Sequence, residues 1–431
     1  MIREMRTDAD VPSGAAYYGL AVILGALTGM GPLAIDTYLP AMPTIAREFA
    51  TSMATVQISL SVYFIGIALG QALYGPLSDR VGRKPALYLG LLLFVAGSLG
   101  CALAPGVRPL IAFRFVQALG GCAPLVVPRA VVRDLFDARG SVRMLSVLML
   151  VMGLAPILSP LLGGQLLIHL GWRSIFLVHA SIGAALLMTV FLFLRESLPA
   201  DRRVRQPISA VLATYSALLH DRTYMGYVLS GGFTFGGLLA YISGSAFVFI
   251  ELFHVTPQRF GFYFGANAVG LIACSQINRA LARTHDARTI LHRVLYVTLL
   301  SSVLLVVNAY TGVGGFAGIL VPLFFFIAMH GLVSPNSTAL AMAPHGRVAG
   351  TASALMGTVQ FIFGATAGAL IGAFANGTAM PFAGVVGGCG VLAFLVNAGI
   401  RYRESGFSAG PGIRSRESGR EEAPSALNPN A

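Results

Sequence analysis

Twelve apolar runs, each about 20 residues long, alternate with polar connectors along the chain. That length matches what is needed to cross roughly 30 Å of hydrocarbon. Backbone groups inside a bilayer find no water, so each run is predicted to be a helix that satisfies its own N–H and C=O groups. The first six runs lie at about 17–39, 54–76, 86–105, 109–131, 142–168 and 174–194. The second six lie at about 223–250, 260–276, 289–310, 315–339, 349–375 and 380–400. The pattern implies an all-α integral membrane protein with twelve transmembrane helices in two six-helix bundles, residues 17–194 and 223–402. Residues 1–16 form a short leader. Residues 195–222 form a central loop, rich in Arg and interrupted by Pro199 and Pro207. The segment 403–431 is rich in Gly, Ser, Pro, Arg and Glu and is expected to be a disordered tail.

Composition agrees with the pattern. The 431 residues are 56% hydrophobic and only 11% charged, more apolar surface than a soluble domain hides. The net charge of +12 invites a nucleic-acid partner, but its distribution argues otherwise. Of 29 basic residues, 24 fall in the two termini and the alternate connectors that share a side with them. The opposite connectors hold only Arg47, Arg108, Arg173 and Arg259. Such asymmetry predicts both termini, Arg3 and Arg6 included, on the cytoplasmic side of a bilayer, with no nucleic-acid role. Cys101, Cys122, Cys274 and Cys389 lack metal-ligand spacing and are expected to be small packing residues. The first run is too long for a signal-peptide core and is kept as a span.

Two charges interrupt this apolar chain: Asp36 in the first run and Arg114 in the fourth. Ionisable groups at membrane depth are expensive, and they mark substrate or proton pathways or face an opposite charge. A six-plus-six arrangement also suggests repeats with a site near the midplane between the halves. Polar, Arg-bearing turns after the second span (75–80) and the eighth (276–279) echo one another.

The connector after the second span reads Gly75-Pro76-Leu77-Ser78-Asp79-Arg80-Val81-Gly82-Arg83-Lys84-Pro85. Two glycines permit a tight turn, and three cations suit an anionic inner leaflet. This stretch resembles the loop signature of the major facilitator superfamily, Gly-x-x-x-Asp-Arg-x-Gly-Arg-Arg/Lys, with Gly75, Asp79, Arg80, Gly82, Arg83 and Lys84 at its fixed positions. The resemblance implies that Asp79 acts as a conformational latch for the outward-facing state. It implies pairing with a cytoplasmic Arg, for which Arg133 is the candidate, and an approach to the start of the eleventh helix near Ala349 and Gly350, whose dipole end is positive. A solvated basic turn is the plainer alternative.

Arg114-Phe115-Val116-Gln117-Ala118 resembles the same family's fourth-helix motif, with Ala118 where glycine is usual. Gln117 shares a face with Arg114. The implied role of Arg114 is to tune the proton affinity of a nearby acid; neutralisation by backbone carbonyls is the compatible structural alternative. The stretch Asp36-Thr37-Tyr38-Leu39-Pro40-Ala41-Met42-Pro43 looks like the Asp-x-Tyr-Leu-Pro-Ala-hydrophobic-Pro signature of the Bcr/CflA branch of drug:proton antiporters. Asp36 lies at a depth similar to Arg114, so the two are expected to approach. A buried carboxyl favours its neutral form and a nearby Arg opposes that, so a cationic substrate competing with the proton would couple the two fluxes. An acid that only caps the helix before Pro40 is the alternative. Some polyspecific relatives carry a second acid two turns earlier; Thr28 stands there and does not titrate.

In the fifth span, Gly153, Pro156, Pro160, Gly163 and Gly164 resemble the antiporter motif, which the family uses to seal against the eighth helix. Small-residue packing is the structural alternative. Tyr63, Tyr241, Asn267, Asn336 and Gln360 are polar or aromatic candidates for substrate contact, while His179 and His330 read as packing residues. Together these features imply a monomeric, multi-pass transporter of the bacterial inner membrane that exports drugs or other small lipophilic or cationic compounds in exchange for protons. The competing expectation is a proton-coupled exporter of one metabolite, an amino acid or sugar derivative. No Ser/His/Asp set, His-Glu-x-x-His run or phosphate loop points to an enzyme, a metal or a cofactor.

Overall fold

The computed structural model describes residues 14–203 and 208–408. Arg3, Arg6 and Arg205 and the tail beyond residue 408 therefore lie outside the described residues. Within them the fold is helical, and no strand occurs. The elements are α1 (Gly14–Asp36), α2 (Met42–Glu48), α3 (Met53–Val81), α4 (Arg83–Ala102), α5 (Val107–Leu135), α6 (Ala138–Leu170) and α7 (Arg173–Phe193). They continue with α8 (Ile208–His220), α9 (Arg222–Ala246), α10 (Pro257–Leu281), α11 (Ala287–Thr311), α12 (Gly315–Met342), α13 (Ala349–Ala373) and α14 (Met380–Ser408). Twelve helical segments among the described residues are long and apolar enough to cross a membrane, α1 and α2 counting together as the first.

Three elements depart from the sequence expectation. The first span does not stop at residue 39. It breaks after Asp36, passes through a 3-10 turn at Leu39–Ala41, and resumes as the short helix α2. Pro40 explains the break. Its missing N–H cannot reach the Asp36 carbonyl, and its ring disfavours helical backbone at Leu39. The central loop also holds a helix of its own, α8, whose 13 apolar and small polar residues are too few to span. In addition, α14 runs through Arg403 to Ser408, beyond the expected start of the tail.

Packing within the first half is dominated by α4 against α5 and α7, and by α5 against α3. In the second half α11 packs on α12 and α14, and α9 on α14 and α12. The halves meet along two seams, α3 with α13 and α6 with α10. In span order these are second with eleventh and fifth with eighth, the same pair under a shift of six. That is the contact pattern expected of two repeated bundles facing one another. Asp36 sits at the C-terminal end of α1, and the Leu39–Ala41 turn just beyond it packs against α6, α9 and α10.

Candidate functional site

Asp36 is the last residue of α1 and is 3% exposed. Its Oδ1 has no hydrogen-bond partner. Thr37, the next residue, continues the turn through its backbone N–H to the Leu33 carbonyl at 3.2 Å. Tyr38 then reaches Ser59 on α3, with 2.9 Å between the hydroxyls. The break imposed by Pro40 thus leaves a buried carboxyl beside irregular backbone, which membrane proteins tolerate where it is enclosed by protein. At the position of the absent second acid, Thr28 donates to the Leu24 carbonyl at 2.7 Å and is internally satisfied.

Arg114 is fully buried, yet it makes no ion pair with Asp36. Its Nη1 donates to the Ala34 carbonyl at 3.2 Å and to Gln117 Oε1 at 2.7 Å. Its guanidinium carbon lies 4.1 Å from the Tyr63 ring centre and 4.7 Å from that of Tyr38. These ring faces supply the electrostatic complement that the expected carboxylate would have given, worth about 2 kcal/mol for a desolvated contact. Two of its nitrogens, Nε and Nη2, have no hydrogen-bond partner. Asp36 is two residues along the chain from Ala34, whose carbonyl holds Arg114.

The hydrogen bonds around Arg114 fix a direction. Because Gln117 Oε1 accepts from Arg114, its Nε2 must donate, and it reaches Ser98 Oγ at 2.8 Å and His179 Nδ1 at 3.4 Å. His179 Nδ1 is therefore the acceptor nitrogen, which places the ring proton on Nε2, 2.8 Å from Thr37 Oγ1. Thr37 in turn donates to the Leu33 carbonyl at 2.7 Å. One chain of donors runs from α5 through α7 into the residue beside Asp36. Sequence reading left His179 as packing and overlooked Tyr38 as an Arg114 partner. The only trace of the latter was its place between Asp36 and Pro40 in the signature.

Across the seam, two of the expected substrate candidates meet. Asn267 Nδ2 donates to the Tyr241 hydroxyl at 3.1 Å, joining α10 to α9. Both are buried, and Asn267 Oδ1 is unpartnered. The other candidates lie elsewhere. Asn336 donates to Asn278 at 2.6 Å, linking α12 to α10, and Gln360 is half-buried on α13. His330 bonds Thr234 at 3.0 Å, within the second bundle.

At the Arg-rich end the ion-pair partner of Asp79 is Arg83, not Arg133. Arg83 is nearly buried and also holds Asp134, with Nε 2.7 Å from Oδ2, and donates to Ser78 Oγ at 2.9 Å. Being four residues from Asp79 across the α3–α4 turn, Arg83 outcompetes the exposed Arg133 on proximity. Arg133 lies instead beside Gly350 at the start of α13. Gly82 makes the turn, at a φ of +107° that side-chain-bearing residues rarely adopt. Arg80 is exposed, and Gly75 lies in open space. Removing Arg83 leaves two carboxylates facing each other without a cation. Arg83→Met is expected to lower stability in detergent by about 3 kcal/mol and to raise protease sensitivity of the α3–α4 turn. Unchanged thermal unfolding would show that the network contributes little.

The fifth-span motif lies on the seam. Ile157 packs beside Gly265, Leu161 beside Gly261, and Gly164 beside the Pro257 carbonyl, so α6 meets α10 along the motif's length. Pro156 and Pro160 lie inside α6, and Ser159 Oγ between them is buried and unpartnered. Gly153 faces Ile272. Gly163 does something else. It abuts the backbone of Thr37, so the motif also presses on the α1 break. At the end of the bundles opposite the Arg-rich one, the halves are joined by Gln57 Nε2 on the Ser243 carbonyl at 3.3 Å and by Arg47 with Glu251 at 3.8 Å.

Residues 22–369 match the family model described as Major Facilitator Superfamily. Over 378 residues the chain is 36% identical to an uncharacterized MFS-type transporter, YdgK, of Bacillus subtilis (strain 168), covering 87% of this chain and 93% of that protein. It is 31% identical over 372 residues to a bicyclomycin resistance protein homolog of Haemophilus influenzae, covering 86% and 93%. Among solved structures, a D-xylose–proton symporter superposes with a TM-score of 0.69 over 88% of this chain and 96% of that one, at 15% identity, a likeness of fold alone.

Proposed function

The chain belongs to the major facilitator superfamily, and from that premise we propose that it is a drug:proton antiporter of the bacterial inner membrane. In this reading it exports small lipophilic or cationic compounds, and Asp36 is the group that proton and substrate share. The observation that carries it is Asp36, the one buried carboxyl among the described residues, with an unpartnered oxygen and set at a helix break between the bundles. A bicyclomycin resistance protein homolog among the relatives supports export of foreign compounds.

The basic end faces the cytoplasm in this reading, as do both termini. The opposite end, where Gln57 meets Ser243 and Arg47 meets Glu251, is then the periplasmic gate. Opening toward the cytoplasm lets Asp36 release its proton and accept a cation. Opening toward the periplasm lets a proton displace that cation. Arg114, held by Gln117, Ala34 and two tyrosine faces, keeps a fixed positive charge beside this exchange. The Arg83 hub, with Asp79 and Asp134, ties the cytoplasmic ends of α3, α4 and α5 and sets which gate opens.

Everted membrane vesicles test this directly. With an acidified lumen, several chemically unlike cations should each release protons and compete with one another. Proton release by one saturable compound alone would support the exporter of a single metabolite. No release by any member of a broad panel would overturn the antiport reading.

A further inference from the structure

The helix α8 is too short to span, yet it is tied to the bilayer at one end. A single residue, Asp221, separates it from α9, the seventh span. Asp221 accepts from the N–H groups of Thr223 and Tyr224 at 2.9 and 3.0 Å, so α8 ends where α9 enters the apolar layer. Around the helix, residues turn by about 100° each, and four sectors can be told apart. Leu218, 3% exposed, and the half-buried Tyr215 join the apolar core of the second bundle. Ala213, Thr214 and Ala217 line a cavity with His345 and Val348, from the turn Ala343–Val348 that links α12 to α13. Ser209, Ser216 and His220 are exposed. Leu212 and Leu219, two helical turns apart, are 59% and 50% exposed. Their stripe lies roughly 160° round from the cavity side.

That geometry gives the stripe a direction. The turn Ala343–Val348 belongs to the basic end of the bundles: it carries Arg347, and Arg133 approaches Gly350 just beyond it. A stripe facing away from this turn, on a helix fixed to the edge of a span, faces the bilayer rather than the aqueous side. Charge points the same way. The connector 195–222 holds five arginines against Glu196, Asp201 and Asp221. Glu196 accepts from the N–H groups of Arg83 and Lys84, and Asp221 caps α9, so both acids answer helix N-termini. Arg195 and Arg222, at the two ends of the connector, are exposed. A helix with a leucine stripe, a small polar face and flanking cations settles at the boundary between headgroups and acyl chains, and anionic lipid strengthens it. We propose that α8 lies flat in the leaflet at the basic end, with Leu212 and Leu219 among the acyl chains and Arg222 on anionic headgroups. This surface selects anionic over zwitterionic lipid, whatever the protein exports.

The test uses the full chain in lipid vesicles, with a nitroxide attached at Leu212→Cys, Leu219→Cys or Ser209→Cys. The unmodified chain, labelled in parallel, gives the background from its four cysteines. Relaxation by oxygen, which concentrates in the acyl region, is compared with relaxation by a water-soluble nickel chelate. At both leucines oxygen should act more strongly than nickel, and at Ser209 the order should invert. Replacing half of a phosphatidylcholine membrane by phosphatidylglycerol should raise the immersed-to-exposed ratio at Leu212→Cys about fivefold, the factor expected of one arginine at an anionic surface. Arg222→Gln should remove most of that gain. If Leu212→Cys inserts poorly, Leu219→Cys carries the same readout. Nickel access at both leucines equal to that at Ser209 overturns the proposal, because the stripe then lies in water. Protection from both reagents overturns it as well, because protein, a second copy or a soluble partner, then covers the stripe. Equal immersion in the two lipid mixtures removes the anionic preference and overturns it too.

Discussion

Asp36→Asn is expected to reduce pH-gradient-driven efflux to the rate of vesicles that lack the protein, with normal membrane insertion. The substitution keeps the shape of the side chain and one carbonyl oxygen. It removes the only carboxyl that the described residues bury at the bundle seam. An amide cannot alternate between a charged and a neutral state, so nothing ties the inward proton to the outward substrate. Cation binding should weaken at the same time. A hydrogen bond to a charged acceptor contributes about 1.5–3 kcal/mol, which is roughly a 10- to 150-fold change in affinity. Two measurements separate these effects. Equilibrium binding in detergent reports the affinity loss, and counterflow exchange without a gradient reports whether alternating access survives. The combination expected is weakened binding, preserved counterflow at saturating substrate and no response to a pH gradient. Full gradient-driven transport by Asp36→Asn would remove this residue from the coupling step and with it the mechanism argued above.

Much of this site was legible before any coordinates, and the reason lies in membrane physics. Apolar runs of spanning length are visible because every bilayer helix needs one, and Asp36 and Arg114 stand out because charge is rare inside them. The break after Asp36 was also present in the sequence as Pro40, although the short helix α2 beyond it was not expected. What stayed hidden depends on pairs of residues on different helices, far apart in the chain. The two tyrosine faces around Arg114 lie 76 and 51 positions from it, and His179 reaches Thr37 across 142 positions. No periodicity records such contacts. The expected approach of Asp36 to Arg114 gives no ion pair: Nη1 of the guanidinium goes to the Ala34 carbonyl and Gln117, and its plane lies against tyrosine rings. The expected pairing of Asp79 with Arg133 failed for a local reason: Arg83 is one helical turn away. The helix α8 was missed because 13 residues without a charge resemble both a loop and a fragment of a span.

The chain offers one packing test whose outcome does not depend on any titration. An added methyl group at Gly163 would lie 2.7 Å from the Thr37 carbonyl carbon and 2.8 Å from its Cα. Backbone cannot rotate aside as a side-chain tip does, so α6 and the α1 break must part by most of an ångström. Overpacking of this kind costs about 1–3 kcal/mol. Thr37 is the neighbour of Asp36 and the acceptor for His179, so the displacement falls on the carboxyl and on the donor chain from Arg114 together. Its motif partners provide the comparison. At Gly164 the nearest atom is the Pro257 carbonyl oxygen at 3.1 Å, a milder approach. At Gly153 it is the tip of Ile272 at 3.2 Å, which can rotate away. The expected order of damage to coupled efflux is therefore Gly163→Ala, then Gly164→Ala, then Gly153→Ala, with the first falling about tenfold or more, the factor that 1.4 kcal/mol represents. If the motif served only to let α6 approach α10, the first two would be reversed, since Gly164 faces α10 and Gly163 faces α1.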